Sequence, residues 1–240
     1  MCDKPRRLLA FDASIEPGSA ALLVDGSGVD GRAAATGENS SQALLPAATA
    51  LLAARKLALG DLDAIAFGCG PGSFTGLRVA CGIVQGLAYG LRLPVVPIDS
   101  LAAVALLAID AAPQDSGELL VTMDARMGEV YCAHYRVETG MPRRIGEPQV
   151  LPPDEVALPT GVNRCAGNAL LAYPLLAERF ASAGLTLLPD LLPTAGAVAR
   201  LAVEALAAGR VVSAMEATPV YVRDKVALTT RERLAAGGRA

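Results

Sequence analysis

One stretch of this chain occurs twice, and the repeat limits the fold more than any other feature of the sequence. Residues 120–125, Leu-Val-Thr-Met-Asp-Ala, match residues 8–13, Leu-Leu-Ala-Phe-Asp-Ala, at a constant offset of 112. Each copy reads as a short apolar strand that ends in an aspartate and is followed by a turn with glycine and a second strand. A strand repeated at this distance predicts a duplicated α/β unit, with one copy in each half of the chain.

The predicted elements follow the same order in both halves. In the first half, we predict strands over 8–12, 20–25 and 31–36, a helix capped by Ser40 or Ser41, a strand over 63–68, a helix over 75–90, a strand over 94–98 and a helix over 101–110 capped by Ser100. In the second half, we predict strands over 120–125, 129–135, 144–150, 163–167 and 185–188, a short helix after Pro153, and helices over 169–180 and from Thr194 to about Gly209. Pro113 and Gly117 mark residues 111–117 as the linker, which gives an N-terminal lobe over 1–110 and a C-terminal lobe over 111–240.

This arrangement predicts an α/β fold with two ribonuclease-H-like lobes of the actin and hexokinase (ASKHA) type, each with a mixed sheet flanked by helices. Ligands of such proteins bind between the lobes, and by that analogy Asp12 and Asp124 face the cleft. The first turn contains Glu16 and Pro17 and has no lysine or arginine. A negatively charged turn with a proline is a poor phosphate cradle, so we interpret the nucleotide chemistry as lost.

Composition excludes several classes of protein. The longest uninterrupted aliphatic stretch, residues 101–109, is nine residues long, whereas a spanning helix needs about 20. With the single histidine His134, a His-rich zinc site is excluded. Cys132 lies two residues before it on a strand, where the two side chains point the same way, so we interpret His134 as a half-buried strand residue. Five scattered cysteines without a Cys-x-x-Cys pair indicate reduced thiols in a cytoplasm.

The glycine-rich segment over 67–78 follows a predicted strand and opens a helix, as a phosphate loop would. The Gly-x-Gly-x-x-Gly pattern fails because Ser73 stands three residues after Gly70, and no Gly-Lys-Ser/Thr is present in the segment. The segment therefore predicts a tight strand-to-helix turn, with Ser73 or Thr75 as the helix cap.

The helix behind this turn has an unusual stripe. Arg78, Gly82, Gly86 and Gly90 recur at every fourth residue. Each interior glycine costs roughly 0.8–1 kcal/mol relative to alanine, so we expect something to pack closely against the bare stripe. Two interpretations stay open: another element of the same lobe, or a helix of another chain.

The longest specific strings resemble those of one bacterial family. They are Leu9-Ala-Phe-Asp-Ala-Ser14, Ser41-Gln-Ala-Leu-Leu-Pro46, Gly70-Pro-Gly-Ser-Phe-Thr-Gly-Leu-Arg78, Gln85-Gly-Leu-Ala88, Asp124-Ala-Arg-Met-Gly-Glu-Val-Tyr131 and Pro219-Val-Tyr-Val-Arg223. On these strings the chain resembles the TsaB (YeaZ) family of tRNA threonylcarbamoyladenosine biosynthesis proteins over nearly its full length. Family members commonly carry histidine before the Ser-Gln pair, where this chain has Ser40.

The resemblance implies a non-catalytic subunit. TsaB proteins look like degenerate copies of the catalytic subunit TsaD without its metal-binding histidines. With the ATPase TsaE, they support TsaD in transferring a threonylcarbamoyl group to the adenosine beside the tRNA anticodon. For this chain the resemblance implies no catalytic residue, no metal and no cofactor of its own, with ATP or ADP bound only in the assembled complex. It also implies a cytoplasmic protein that contacts tRNA only indirectly and does not contact a membrane.

The resemblance also implies which surface pairs. TsaB forms a homodimer through its N-terminal lobe when TsaD is absent, and TsaD binding uses an overlapping surface. The helices after the Ser-Gln pair and after the glycine turn form it, so the interface candidates are Ser41, Leu44, Leu45, Arg78, Gly82, Gly86 and Gly90. Asp12, Asp124 and Arg126 are candidates for nucleotide or partner contact in the complex, and the alternative for Arg126 is a salt bridge with Glu129.

Two other functions are considered beside this one. An independent ATP-dependent sugar-kinase-like enzyme would use Asp12 and Asp124. A direct tRNA binder would use the basic residues Arg143, Arg144, Arg231, Arg233 and Arg239. These lack interleaved aromatic residues, and the net charge of −3 gives no field that attracts a polyanion. We therefore favour the non-catalytic partner of TsaD.

Overall fold

The computed structural model describes residues 6–24, 28–34, 39–113 and 117–223. The first lobe begins with a meander of three strands, followed by alternating helices and strands. Its elements are β1 (Arg7–Asp12), β2 (Ser19–Val24), β3 (Val29–Ala33), α1 (Ser40–Ala54), β4 (Ala64–Gly70), α2 (Phe74–Leu91), β5 (Val95–Asp99) and α3 (Ser100–Ala111), with a 3-10 turn over Leu59–Asp61. The end of the predicted third strand, and the centre of the predicted linker, lie outside the described residues.

The second lobe repeats this order except that no helix stands between its third and fourth strands, where the first lobe has α1. Its elements are β6 (Glu118–Arg126), β7 (Glu129–Glu138), β8 (Met141–Leu151), β9 (Val162–Ala166), α4 (Ala169–Ala172), α5 (Pro174–Ser182), β10 (Thr186–Leu188) and α6 (Ala195–Ala207). The strand orders are β3-β2-β1-β4-β5 and β8-β7-β6-β9-β10. In each sheet the first three strands pair antiparallel and the last two run parallel to the first. Both sheets are mixed, and the two ribonuclease-H-like lobes predicted from the repeat are confirmed.

Helix α3 lies between the two sheets. Its residues Ala103 and Leu106 pack with α6 on the inner face of the first sheet. Its residues Leu101 and Val104 pack against Val121 and other residues of the second sheet. A helix that is buried on both sides must be apolar all round, which explains the aliphatic run of residues 101–109. Helices α1 and α2 cover the outer face of the first sheet, and α5 covers that of the second.

The chain returns to the first lobe after the second sheet is complete. Helix α6 packs on β1, β2 and β4 of the first sheet, and Val212 forms an antiparallel bridge with Val95 of β5. The predicted C-terminal lobe of residues 111–240 therefore includes a segment that packs on the N-terminal lobe. The sequence left the path after Val220 open, and residues 224–240 lie outside the described residues.

Several local predictions differ from the structure for identifiable reasons. Asp99, not Ser100, caps α3 by accepting from the Leu101 amide at 2.9 Å. Ser40 does not cap α1, because its hydroxyl accepts from the Gly18 amide instead. The predicted helix over 169–180 divides at Tyr173, since Pro174 cannot donate to the preceding turn. The predicted helix after Pro153 is a turn.

Candidate functional site

The stripe of α2 is open in the structure. Gly82, Gly86 and Gly90 are exposed, and a Cβ atom added at any of them would meet no other atom within 4 Å. The opposite side of the helix is buried in the core of the first lobe. The interpretation in which an element of the same lobe fills the stripe is therefore wrong for these three glycines.

Larger side chains stand beside the stripe. Tyr89 is 71% exposed and Met215 is 78% exposed, and both line a shallow groove with Gly82 and Gly86. Gln85 also lines the groove, and its side-chain amide donates to the carbonyl of Ala217 at 2.8 Å. We call this surface, Gly82, Gly86, Gly90, Tyr89 and Met215, the glycine face. Small notches between large apolar side chains are typical of a surface that receives a closely packed helix.

The candidates on α1 divide into two groups. Ser41 is exposed and Leu45 is 43% exposed, so both are available to a partner. Leu44 is fully buried in the core of the first lobe, and its prediction as a contact residue is wrong. The helix buries Leu44 because α1 must cover β2.

Arg78 is held by its own chain. Its guanidinium lies 3.7 Å from the centroid of the Phe74 ring, and its Nε donates to the hydroxyl of Tyr221 at 3.1 Å. Phe74 and Tyr221 are themselves 5.5 Å apart between ring centroids. The exposed cluster lies at the start of α2, where the glycine turn meets the C-terminal segment.

Helix α2 also has the length and hydropathy of a membrane-spanning helix, alone among the helices of the described ranges. Core helices pass the same test. Its residues Leu77, Ala80, Val84 and Ala88 are buried against the first lobe. We therefore interpret the apolar composition of α2 as one buried side and one side prepared for contact.

The glycine turn packs tightly on the first hairpin turn. An added Cβ at Gly72 would lie 2.5 Å from the carbonyl oxygen of Ser14, and one at Gly76 only 1.8 Å from that of Ala13. The Ser73 amide donates to the same Ser14 carbonyl at 2.7 Å. The predicted cap is confirmed, since the Ser73 hydroxyl accepts from the Gly76 amide. These glycines allow two pieces of backbone to touch.

A cleft of about 550 Å³ lies between the lobes. The first turn, the glycine turn, the β6–β7 turn and residues 220–223 line it. Asp124 lies at this cleft, where one carboxylate oxygen accepts from the Tyr173 hydroxyl at 3.0 Å and the other lies 3.1 Å from the Arg126 guanidinium. Arg126 is held in the left-handed region with φ of 61°, and its side chain is 87% exposed. Asp124 and Arg126 therefore both line the cleft, and their side chains contact each other there.

Asp12 does not join them. Its side chain is buried, and its Oδ1 accepts from the amide and the hydroxyl of Ser14 at 3.1 and 2.7 Å. No described group hydrogen-bonds to Oδ2, which lies against Gly68. Burial raises the pKa of Asp12 to about 6, and the hydrogen bonds from Ser14 oppose that rise only in part. The prediction that Asp12 faces the cleft is wrong, because the carboxylate turns toward the donors of its own turn.

The ion pairs at the cleft do not include the Arg126–Glu129 salt bridge that the sequence offered as an alternative. Glu129 pairs with Arg223, while Arg126 pairs with Asp124. Arg223 also donates to the carbonyls of Ala125 and Arg126 at 3.2 and 3.3 Å. The predicted salt bridge between Arg126 and Glu129 is therefore wrong.

Sequence reasoning assigned no role to the C-terminal segment or to Tyr89. The signal for the segment was the string Pro219-Val-Tyr-Val-Arg223, whose Tyr221 and Arg223 both make long-range contacts. Tyr89 could have been found by its position beside Gly86 and Gly90 on the helix.

The histidine has a structural neighbour that the sequence did not reveal. His134 Nε2 lies 2.7 Å from a carboxylate oxygen of Glu118 on the adjacent strand β6. Cys132 is buried, and burial raises the pKa of its thiol, which disfavours a thiolate. Within residues 6–24, 28–34, 39–113 and 117–223, no three His, Cys, Asp or Glu side chains lie close enough to hold a metal.

Comparisons with known proteins agree with this architecture. The family model described as TsaD, tRNA N6-adenosine threonylcarbamoyltransferase, matches residues 28–225. The chain is 36% identical over 230 residues to the tRNA threonylcarbamoyladenosine biosynthesis protein TsaB of Escherichia coli (strain K12), covering 92% of this chain and 96% of the relative. TsaB of Haemophilus influenzae (strain ATCC 51907 / DSM 11121 / KW20 / Rd) is 35% identical, covering 91% of this chain and 94% of the relative.

A solved structure matches the whole fold. The structure described as YeaZ from Pseudomonas aeruginosa superimposes with a TM-score of 0.81 at 38% identity, covering 90% of this chain and 99% of that chain. The fold is therefore shared with a chain of nearly equal extent. On this similarity along both chains, the protein belongs to the TsaB (YeaZ) family and has a role in tRNA threonylcarbamoyladenosine biosynthesis.

Proposed function

We propose that this chain is a non-catalytic subunit that binds a TsaD catalytic subunit through its first lobe. In that role it supports threonylcarbamoyl transfer to the adenosine beside the tRNA anticodon, together with the ATPase TsaE. When TsaD is absent, the same surface pairs two copies of the chain. The complex assembles in the cytoplasm, contacts tRNA through TsaD, and holds ATP or ADP only when assembled.

The open glycine face is the observation that supports this proposal. Three exposed glycines in one helix cost about 2–3 kcal/mol relative to alanine, and no contact within the described chain offsets that cost. A partner helix can approach a surface without Cβ atoms more closely than any other helical surface. Tyr89 and Met215 flank the notches as large exposed anchors.

The cleft supports the non-catalytic part of the proposal. In a phosphate cradle the backbone N–H groups of the first turn and the glycine turn point at the ligand. Here the Ser14 amide donates to Asp12, the Gly70 amide to Ser100 and the Ser73 amide to Ser14. These donors satisfy acceptors of the same chain and are not directed at the cleft.

Substitution at Gly86 tests the surface. Gly86→Leu places a side chain in open space, so we expect the lobe to remain folded while pairing is lost. Size-exclusion chromatography measures self-association, and co-purification with the cognate TsaD measures partner binding. Ala181→Leu adds an equally exposed leucine on α5 of the second lobe and provides the matched control. Normal pairing and normal TsaD binding of folded Gly86→Leu would exclude the glycine face as the interface.

The competing function is an ATP-dependent sugar-kinase-like enzyme. The volume of the cleft, about 550 Å³, favours this enzyme because it lies within the range of small-molecule sites. Isothermal titration with ATP and Mg²⁺, followed by a turnover assay on the isolated chain, separates the two functions. Micromolar ATP affinity with turnover that Asp124→Asn abolishes would establish the enzyme and refute the non-catalytic subunit.

A further inference from the structure

The segment after α6 has two parts with different anchoring. Residues 212–217, which we call the root, are tied to the first lobe. Val212 exchanges two backbone hydrogen bonds of 2.9 Å with Val95. Ala214 and Ala217 are buried in the first core. The carbonyl of Ala217 accepts from Gln85 and from the thiol of Cys81, at 2.8 and 3.3 Å.

Residues 218–223, which we call the latch, are held differently. None of their side chains is buried; Val220 is 48% exposed and Tyr221 43%. The contacts that hold the latch are polar except for one ring contact, that of Tyr221 with Phe74. The Val220 amide donates to the carbonyl of Cys69 at 2.7 Å, Tyr221 accepts from Arg78, and Arg223 reaches the β6–β7 turn of the second lobe.

The latch forms part of the wall of the cleft. Residues 220–223 line it together with the first turn, the glycine turn and the β6–β7 turn. The carbonyl of Val220 approaches Gly70 so closely that an added Cβ there would lie 2.5 Å from it. Leu77, which also lines the cleft, is fully buried beside the same point. The positive φ of Gly70, 124°, is a second reason why no side chain fits where the latch is seated.

The two lobes are also joined by contacts outside the lining of the cleft. The hydroxyl of Tyr135 donates to Asp99 at 2.9 Å, and Arg144 donates to the same oxygen at 3.0 Å. Tyr135 is 1% exposed, and α3 fills the space between the sheets. A hinge motion of the lobes would break this buried packing, whereas release of the latch breaks contacts of Val220, Tyr221 and Arg223, none of which belongs to a hydrophobic core.

We propose that residues 218–223 release as a unit while the root stays bound, and that this release, rather than a hinge between the lobes, opens the interlobe cleft. The latch would pivot at Thr218 and Pro219, immediately after the buried Ala217. Its opening uncovers Leu77 and the glycine turn and leaves both cores intact. This inference does not depend on the partner that binds the glycine face.

Hydrogen exchange on the unaltered chain tests the release directly. We expect the Val220 amide, which donates to Cys69, to exchange at least about tenfold faster than the Val212 amide, which donates to Val95, because the latch opens without the core. The expected pattern is rapid exchange at Val220 and protection at Val212 and Ala217, whose amides are also hydrogen-bonded. Equal and slow exchange of both segments would overturn the proposal, since the segment would then open only with the lobe.

A buried thiol tests access to the cleft. Leu77→Cys places a thiol beneath the latch, while native Cys81 lies beneath the root. In this background, Arg223→Ala should raise labelling at position 77 by about tenfold, the usual effect of losing a charged hydrogen bond, and leave Cys81 unchanged. Arg136→Ala removes an Arg–Glu pair elsewhere on the second lobe and is the matched control.

The two experiments decide the proposal together. The proposal would be overturned if Arg223→Ala left the labelling rate at position 77 unchanged, or if it raised the labelling rates of position 77 and Cys81 by the same factor. If Leu77→Cys does not fold, hydrogen exchange of the unaltered chain and of Arg223→Ala decides alone. In that case Arg223→Ala must accelerate exchange of the Val220 amide and leave the Val212 and Ala217 amides protected.

Discussion

Asp12 is the residue whose burial has the clearest energetic consequence. Its pKa is about 6 in the folded chain, against 3.8 ordinarily, because burial removes water from the carboxylate. The folded state therefore binds this proton more tightly than the unfolded state does. The contribution of Asp12 to stability is fully present below pH 4 and is lost as pH rises through 6.

Asp12→Asn should remove this pH dependence. The amide has the shape of the protonated carboxyl group, so the variant and the unaltered chain should be similarly stable near pH 4. Above pH 6 the variant should be more stable, by at most about 3 kcal/mol. Urea denaturation at pH 4 and pH 8 measures the difference. A variant that is less stable at pH 8 would show that the charged form of Asp12 is required.

Arg164 ties the second sheet to the central helix. It is fully buried, and its guanidinium donates to the carbonyls of Ala108 and Ala112 at the end of α3, both at 3.3 Å. Arg164→Met should lower the free energy of unfolding by about 2–4 kcal/mol, because the helix end loses its charged donor. Arg136→Met, at an exposed pair, should cost less than about 1 kcal/mol. Equal losses measured by chemical denaturation would contradict this role for Arg164.

At the scale of single elements, α2 contains glycines of two kinds. Gly76 is needed for close packing on Ala13, whereas Gly86 faces open space. Gly86→Ala should stabilise the isolated chain by up to about 1 kcal/mol, since alanine is the better helix former. Gly76→Ala should destabilise it by several times that amount, because the new Cβ meets backbone. Thermal denaturation of the two variants compares them, and opposite shifts in Tm are the expected result.

The elements show what the sequence could reveal. Helix α2 and strands β1 and β4 were predicted within two residues, because their apolar patterns and glycine boundaries are local signals. The cap of α3 was misplaced by one residue, since aspartate and serine are both good caps and only geometry chooses between them. The break at Tyr173 was not predicted, because apolar residues continue on both sides of Pro174 and make one helix look continuous.

The site was less predictable than the fold. The glycine stripe was visible at its four-residue spacing, but the sequence left open what fills it. The burial of Leu44, the inward turn of Asp12 and the pairing of Arg223 with Glu129 depend on contacts between distant residues. A single sequence carries no local signal for such contacts, and Met215 reaches the glycine face only because the chain returns to the first lobe.

At the scale of the whole molecule, two lobes with the same strand order are joined along one cleft. The turns that would hold phosphate in a nucleotide enzyme bind each other and the C-terminal segment. Helix α3 and the Tyr135–Asp99 contact join the lobes at the back of the cleft. The glycine face lies on the outer surface of the first lobe, where no described atom fills the space beside its glycines.

A reconstituted tRNA modification assay tests this account most directly. Cognate TsaD, TsaE and tRNA are combined with this chain, without it, with Gly86→Leu, and with Asp124→Asn. The account predicts that modification requires this chain, is lost with Gly86→Leu and persists with Asp124→Asn. Modification that persists with Gly86→Leu but is lost with Asp124→Asn would place the activity in the cleft and contradict the account.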